Sequence, residues 1–321
     1  MRIGPGMRAG RRRAPGNRYS SAMARVEGDS PGARRWAAAA IVLAGALAHL
    51  SGLRGAFVFD DLSNIAENPY LAPLWPPGGW LWARPRFGLA GRPVASFSFA
   101  LNHAFGGLDP RGYRALNVLL HMLNAMLLWA LVRRTLELPH FGGRFDRTAS
   151  ALALAVAVLW ALHPLATAAV VYVTQRTELM VAFCYLATLY ASLRYWAAAT
   201  HAARTAWLVL ATLACLAGAA SKEVMISAPL VVLLFDRTFV SGSFRAALRR
   251  SWSLYLGLAA SWLLIAVLQA GMPRSESAGF GLGVPLVDWW CTQAQIFVMY
   301  LKIAVWPSPL VLDYGRTTPI A

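Results

Sequence analysis

Charged residues are scarce in this sequence of 321 residues. Asp, Glu, Lys and Arg make up 14% of the chain, compared with about 25% in soluble domains. Apolar residues account for 58%, the mean hydropathy is +0.49, and the apolar residues come in long blocks. This composition excludes an ordinary soluble domain and predicts a polytopic membrane protein of the all-α class.

Cysteine is also rare, and histidine is not clustered. Cys184, Cys215 and Cys291 lie inside apolar blocks without a CxxC pair, and no HxxxH or HExxH spacing suggests zinc. A disulfide framework and a zinc site are therefore not indicated, and we interpret the cysteines as packing residues. No helical repeat of about 34 residues is detectable either.

Acidic residues are few, 14 against 30 basic ones, so the net charge is +16. Nine of the basic residues precede Trp36, and most of the others lie in short loops between apolar blocks. This distribution is typical of the positive-inside rule, and without an aromatic and basic face it argues against a nucleic-acid partner. Residues 1–35 are predicted to form a disordered cytoplasmic tail, and residues 36–321 a domain surrounded by membrane lipids.

Eight apolar blocks predict about eight membrane spans. The first, residues 36–53, is interpreted as an uncleaved span; the alternative is a signal peptide, but no small-residue cleavage site stands out. A loop over residues 54–114 follows, and residues 115–321 carry the remaining spans. Their apolar blocks are residues 115–132, 149–162, 179–196, 205–220, 224–235, 252–270 and 291–306.

Alternation of these spans predicts that seven ionisable residues meet at the non-cytoplasmic face. They are Asp60, Asp61, Arg92, Arg176, Glu178, Lys222 and Glu223. Charge near hydrocarbon is costly unless it is paired or lines a cavity, so their convergence favours a functional site. Each group also has a plainer interpretation. The acidic pair would cap a helix, Lys222 and Glu223 would pair within one helix, and His163 before a proline would end a helix.

The long first loop contains three tryptophans among prolines and arginines. They are Trp75, Trp80 and Trp82, followed by Arg84 and Arg86. This pattern predicts short interfacial helices on the outer leaflet, and a loop packed on the bundle is the alternative. In either arrangement the loop covers the acidic pair.

Short motifs occur in a fixed order along most of the chain. They are FVFDD at residues 57–61, Arg92-Pro93, Asn102, Tyr113, Asn117, His121, His163-Pro164, Thr174-Gln175-Arg176, Ser221-Lys222-Glu223 and Leu312-Asp313-Tyr314. In this order and spacing the chain resembles the transmembrane and tetratricopeptide-repeat containing O-mannosyltransferases and their bacterial relatives. Those proteins belong to the GT-C class of glycosyltransferases, so the resemblance implies a GT-C-like helix bundle.

The resemblance implies an integral-membrane enzyme that moves a mannose-like sugar from a polyprenyl-phosphate donor to a hydroxyl acceptor. The acceptor would be Ser or Thr of an exported protein, or a glycan. Asp60 would be the general base, and Asp61 would orient the acceptor or join Asp60 in binding a divalent ion. The donor phosphate would contact Arg92, Arg176 and Lys222. Supporting roles fall to Glu178, Glu223, His163 and Asn102.

Two features depart from the family pattern. Ala168 stands where a glutamate is usual, and no repeat domain follows Tyr314 before Ala321, so a truncated or non-catalytic scaffold is one alternative. A transporter is another, but the blocks show neither internal repeats nor charge at their centres. The alanine- and arginine-rich composition predicts a bacterial inner membrane with the active face toward the periplasm, and the nine arginines before Trp36 predict a cytoplasmic N-terminus.

Overall fold

The computed structural model describes residues 31–72, 74–81, 88–270 and 285–311, and these residues form helices and loops without a β-strand. The α-helices are α1 (Pro31–His49), α2 (Gly78–Leu81), α3 (Pro93–Gly106), α4 (Pro110–Leu136), α5 (Ala149–Ala161), α6 (Ala166–Val171), α7 (Arg176–Ala197), α8 (His201–Ala219), α9 (Ala228–Phe235), α10 (Phe244–Gln269) and α11 (Leu286–Val305). Short 3₁₀ or π turns cover Leu50–Arg54, Leu62–Ala66, Pro139–Phe141, Val173–Gln175, Glu223–Ser227 and Asp236–Ser241. The predicted all-α membrane bundle is confirmed.

Every predicted apolar block falls on a helix of this bundle. Among the described residues, five helical stretches are long and apolar enough to cross a membrane. They are Gly32–Arg54, Pro110–Leu136, His201–Ala219, Glu223–Ser241 and Phe244–Gln269. The chain is therefore a multi-pass membrane protein, and the span count of eight stays a prediction.

The first helix begins earlier than the sequence suggested. α1 starts at Pro31, so residues 31–35 of the predicted tail are helical, while residues 1–30 lie outside the described part of the chain. Proline is favoured at the first position of a helix because its missing N–H has no intrahelical partner there.

Three buried clusters form the interior of the bundle. One core lies among α7, α8, α9 and α10, the second lies among α1, α4 and α5, and the third joins the first loop to α3, the start of α4 and the turn before α7. Small residues recur at every fourth position of α5 and are almost fully buried, which lets the helices approach closely. They are Ala149, Ala153, Ala157 and Ala161.

Gly218 lies where α8 approaches α7, and a Cβ atom there would stand 2.7 Å from Met225 Sδ and 2.9 Å from Cys184 Cβ. We expect Gly218→Ala to lower the thermal unfolding midpoint in detergent, because overpacking costs about 1–3 kcal/mol. Gly106→Ala is the matched control, since nothing lies within 4 Å of its Cβ position. Equal midpoints for the two variants would contradict the close approach of α7 and α8.

Buried polar side chains on α4 hold the irregular segment between α5 and α7. Asn117, His121 and Asn124 recur three or four residues apart, and each hydrogen bonds a backbone carbonyl of residues 161–179. The acceptors are the carbonyls of Val170 and Val173 for Asn117, of Ala161 for His121 and of Leu179 for Asn124, at 2.9 to 3.3 Å. Unsatisfied carbonyls are costly within a membrane, so these bonds stabilise a broken backbone that leads into the candidate site.

Candidate functional site

The acidic pair follows an unusual backbone corner at Phe59. This residue has a φ angle of 48°, a left-handed conformation that is uncommon for any residue other than glycine. The two carboxylates that follow lie in different environments. Asp60 is exposed, whereas Asp61 is fully buried.

Asp61 fixes the first loop to the segment that precedes α7. Its Oδ1 accepts hydrogen bonds from the backbone N–H of Thr174 at 2.7 Å and from the Thr174 hydroxyl at 2.6 Å. Its Oδ2 accepts from the N–H of Val58 at 3.2 Å. The carboxylate makes no capping bond to the turn that follows it, so the helix-cap interpretation does not describe its contacts. Both oxygens of Asp61 are thus engaged by protein donors, and its predicted role in orienting the acceptor stays a prediction.

Asp60 is held by its backbone, which leaves its carboxylate at the surface. The Asp60 N–H donates to the Tyr172 hydroxyl oxygen at 3.0 Å, and the rings of Tyr172 and Phe59 meet edge to face with centroids 6.5 Å apart. Burial raises the pKa of Tyr172 to about 12, and the negative charge of Asp60 adds to the rise. The tyrosine hydroxyl therefore keeps its proton at neutral pH.

Two ion pairs lie at the same end of the bundle. Lys222 Nζ pairs with Glu178, and Arg92 NH2 donates to both carboxylate oxygens of Glu223 at 3.0 and 3.1 Å. The side chains of Lys222 and Arg92 remain 17% and 23% exposed, so an incoming ligand can reach them. Lys222 and Glu223 each pair with a residue of another element, so they do not form the intrahelical pair that the sequence also allowed.

The start of α7 brings the acidic pair and the cations together. Thr174, which binds Asp61, and Glu178, which binds Lys222, are four residues apart, or roughly 6–8 Å along the helix axis. Arg92 joins the group through Glu223, the neighbour of Lys222 in the chain. Contacts and chain neighbours thus link six of the seven predicted residues, which we call the α7 site: Asp60, Asp61, Arg92, Glu178, Lys222 and Glu223. Among the described contacts, none joins either aspartate directly to Lys222 or Arg92, so their action as one site stays a prediction.

Arg176 lies beneath this site and does not face it. Its side chain is fully buried, with its guanidinium 4.4 Å from the ring centre of Phe99. Nε donates to Asn117 Oδ1 at 2.8 Å, NH1 to the Ser98 carbonyl at 3.1 Å and NH2 to the Tyr113 carbonyl at 3.0 Å. Because all three nitrogens are committed, this arrangement argues against the donor-phosphate contact predicted for Arg176. It indicates a residue that ties α3, α4 and α7 together.

His163 and Asn102 have no described contact with the α7 site. His163 Nε2 lies 3.1 Å from the Ala304 carbonyl, and its Nδ1 accepts from the Leu165 N–H at 3.2 Å. α5 ends two residues earlier, as the helix-end interpretation of His163 implies. Asn102 lies on α3, and its buried Oδ1 has no hydrogen-bond partner among the described residues.

Ala168 lies close to the α7 site although it carries no acid. It is exposed on α6, and its carbonyl accepts a hydrogen bond from the N–H of Tyr172 at 3.2 Å. The position where a glutamate was expected is therefore one helical turn from the tyrosine that holds Asp60.

Sequence reasoning missed Tyr172, Thr174 and Arg114. Arg114 is buried at the start of α4 and joins the backbone before the acidic pair to the backbone before Tyr172. Its donors reach the carbonyls of Val171 at 2.9 Å, Ala56 at 2.5 Å and Gly55. An arginine one turn into an apolar helix was a usable signal for Arg114. Thr174 belonged to the Thr174-Gln175-Arg176 motif but had no assigned role, and Tyr172 carried no signal.

The tryptophan-rich part of the first loop is described only in part. Trp80 donates from Nε1 to the Leu74 carbonyl at 3.1 Å and packs on Phe97 of α3. Trp75 is 82% exposed, while Trp82, Arg84 and Arg86 lie outside the described residues. Placement of this segment on the outer leaflet therefore stays a prediction.

A divalent ion at the acidic pair also stays a prediction. Among the residues that the structure describes, no group of three or more His, Cys, Asp or Glu side chains is placed to hold a metal. Because the Asp61 oxygens accept from protein donors, Asp60 is the member of the pair that would offer a free carboxylate to an ion.

Comparison with known proteins connects the chain to protein O-mannosyl-transferases. It is 34% identical over 198 residues to protein O-mannosyl-transferase Tmtc1 of Drosophila melanogaster, covering 59% of this chain and 21% of that protein. It is 29% identical over 289 residues to Tmtc2 of the same fly, covering 83% of this chain and 29% of that protein. A third relative, TMTC1 of Mus musculus, is 34% identical over 161 residues, covering 47% of this chain and 16% of that protein.

The chain spans less than a third of the length of these curated relatives. No protein-family model matches it, and no solved structure does.

Proposed function

Since the chain is a sequence relative of the protein O-mannosyl-transferases, we propose that the α7 site transfers a sugar to a hydroxyl acceptor. The donor would be a mannose-like sugar on a polyprenyl phosphate, and the acceptor Ser or Thr of an exported protein. One observation carries this proposal. An exposed carboxylate, Asp60, is fixed at the same end of the bundle as two partly exposed cations, Lys222 and Arg92.

Asp60 acts as the general base in the proposed reaction. The acceptor oxygen attacks the anomeric carbon, a new carbon–oxygen bond forms, and the bond from that carbon to the phosphate oxygen breaks with its electron pair leaving on the phosphate. The proton of the acceptor hydroxyl passes to the Asp60 carboxylate, which requires hydrogen-bond reach in the bound complex. Tyr172 and the buried Asp61 hold the backbone of Asp60, and such fixed positioning favours reaction.

Lys222 and Arg92 bind the leaving phosphate in this proposal. Negative charge accumulates on the phosphate as the sugar leaves, and charge-assisted hydrogen bonds from ammonium and guanidinium groups stabilise it. Before the donor binds, Glu178 and Glu223 hold the two cations in place. Arg176 contributes by positioning, since it fixes the start of α7 from below.

We place the α7 site on the non-cytoplasmic side of a bacterial inner membrane, facing the periplasm. The distribution of arginines supports this orientation. Nine precede Trp36, and further arginines lie at the end of the bundle opposite the α7 site. The latter include Arg134, Arg194, Arg204 and Arg250.

The test is sugar transfer by the full chain in lipid nanodiscs, from a mannosylated polyprenyl phosphate to a Ser- and Thr-rich peptide. We expect transfer by the wild type, and a fall in kcat/KM of about 10–100-fold for Lys222→Gln, because a lost charged hydrogen bond is worth about 1.5–3 kcal/mol. Arg111→Gln is the matched control, since Arg111 is exposed and pairs only with Asp109 among the described residues.

Two outcomes would contradict the proposal in different ways. Absence of transfer by folded wild type, with several lipid-linked sugars tried, would overturn the activity and favour a non-catalytic relative. Transfer that is equally fast in wild type and Lys222→Gln would keep the activity but overturn the phosphate-binding role of Lys222.

A further inference from the structure

Two arginines converge on one tyrosine at the end of the bundle opposite the α7 site. Arg134 Nε donates to the Tyr190 hydroxyl oxygen at 3.2 Å, and Arg194 NH1 donates to the same oxygen at 3.3 Å. The Arg194 guanidinium also lies 4.6 Å from the ring centre of Trp207. We call these four residues, from α4, α7 and α8, the Tyr190 cluster.

The cluster gathers positive charge without a carboxylate. Within the described ranges, neither Arg134 nor Arg194 forms an ion pair, and each donates a hydrogen bond to protein only through the nitrogen that reaches Tyr190. Both guanidiniums reach one oxygen atom, so like charges lie within roughly 7 Å of each other and repel. An anion bound between them would remove this repulsion and use the remaining N–H groups.

The position of the cluster suits the headgroup layer of a membrane. Arg134 is two residues before the end of α4, and Arg194 is three residues before the end of α7. Trp207 lies in the second turn of α8, which is a candidate span. Arginine, tyrosine and tryptophan together are typical of the membrane–water interface, where lipid phosphates lie.

The surface beside the cluster is apolar on the membrane side. Val209, Leu210 and Leu213 on α8 are 48%, 50% and 56% exposed, and they follow Trp207 away from the helix start. An acyl chain whose phosphate contacts the two arginines would lie along these side chains.

We infer that the Tyr190 cluster is a binding site for the phosphate of an anionic membrane lipid, in the leaflet opposite the α7 site. The free N–H groups of Arg134 and Arg194 donate to phosphate oxygens in the geometry that guanidinium favours. The Tyr190 oxygen accepts from both arginines and has its own proton left to donate. A zwitterionic lipid brings a cation of its own toward two guanidiniums, so anionic headgroups are preferred.

The experiment measures thermal unfolding of the purified full chain in detergent, titrated with phosphatidylglycerol, phosphatidylcholine or inorganic phosphate. We expect the unfolding midpoint to rise and reach a plateau with phosphatidylglycerol, and to stay unchanged with phosphatidylcholine or inorganic phosphate. For the double variant Arg134→Gln/Arg194→Gln, the concentration giving half of the rise should increase at least about tenfold, since two charge-assisted contacts are lost.

The matched control is Arg245→Gln/Arg249→Gln. These arginines are exposed on α10, whose start is tied to α8 by a hydrogen bond from Arg204 to the Arg250 carbonyl. This variant removes the same charge from the same end of the bundle and should respond like wild type.

Arg194→Lys is the second variant, for use if the double variant does not fold. It keeps the positive charge but loses the planar pair of N–H donors, so the phosphatidylglycerol concentration that gives half of the rise should increase for it as well. An unchanged titration in the arginine variants would overturn the site. A wild-type response to phosphatidylcholine or free phosphate equal to that for phosphatidylglycerol would overturn its assignment to anionic lipid.

Discussion

Asp60→Asn is expected to lower kcat for sugar transfer by about 10²–10⁴-fold, the usual contribution of a positioned general base. The amide has nearly the same shape as the carboxylate but cannot accept a proton from the acceptor hydroxyl. Asp60 is exposed, and its backbone N–H donates to Tyr172, so we expect Asn to keep this bond and the local fold. Transfer rates and the thermal unfolding midpoint should be measured on the same preparation.

Asp109→Asn controls for the loss of negative charge at this end of the protein. Asp109 is exposed, and the hydrogen bond from Arg111 lowers its pKa, so its carboxylate is negatively charged under the assay conditions. The control should transfer sugar at the wild-type rate. A general-base role for Asp60 is incompatible with a folded Asp60→Asn variant that retains full activity.

Arg176→Gln is expected to destabilise the fold by roughly 3 kcal/mol or more, because several buried acceptors lose a charged donor. The acceptors are Asn117 Oδ1 and the carbonyls of Ser98 and Tyr113. Arg176 is fully buried, so these acceptors do not face bulk solvent that could replace the guanidinium. The measurement is thermal unfolding, together with the yield of monodisperse protein.

Arg176→Lys distinguishes a positioning role from the phosphate-binding role that the sequence suggested. A lysine keeps the charge but has one nitrogen, which cannot satisfy three separated acceptors, so this variant should also be destabilised. Arg92→Lys is the control, since Arg92 is partly exposed and pairs with Glu223, and it should fold normally. A stable Arg176→Lys protein with only a raised KM for the lipid donor would instead support direct contact with phosphate.

The fold class followed from composition because a helix satisfies all polar backbone groups of an apolar segment within the segment itself, as the lipid interior requires. The face on which Asp60, Lys222 and Arg92 lie was also predictable, since alternation of apolar blocks fixes which boundaries share a side. The pairing of these charged side chains was not predictable. Lys222 contacts Glu178 and not its sequence neighbour Glu223, because helices that pack side by side bring together residues far apart in the chain.

The burial of each charged side chain also could not be predicted from the spacing of residues in the sequence. Arg92 and Arg176 are the same residue type at boundaries of the same predicted face, yet only Arg176 is fully enclosed. The enclosure arises from aromatic rings on α3 and α4, Phe99 and Tyr113, whose contact with Arg176 depends on how three helices meet. The roles of Tyr172 and Thr174 were hidden for the same reason.

The α7 site and the two arginines beneath it form an electrically balanced group. The acids are Asp60, Asp61, Glu178 and Glu223, and the bases are Arg92, Arg114, Arg176 and Lys222. In the proposed reaction, a lipid phosphate would therefore bind by counter-ion exchange, in which it displaces a carboxylate already paired with Lys222 or Arg92. Its affinity would depend on the difference in free energy between two ion pairs, so a simple anion would gain little, and a donor that also fits through its sugar and lipid would be selected.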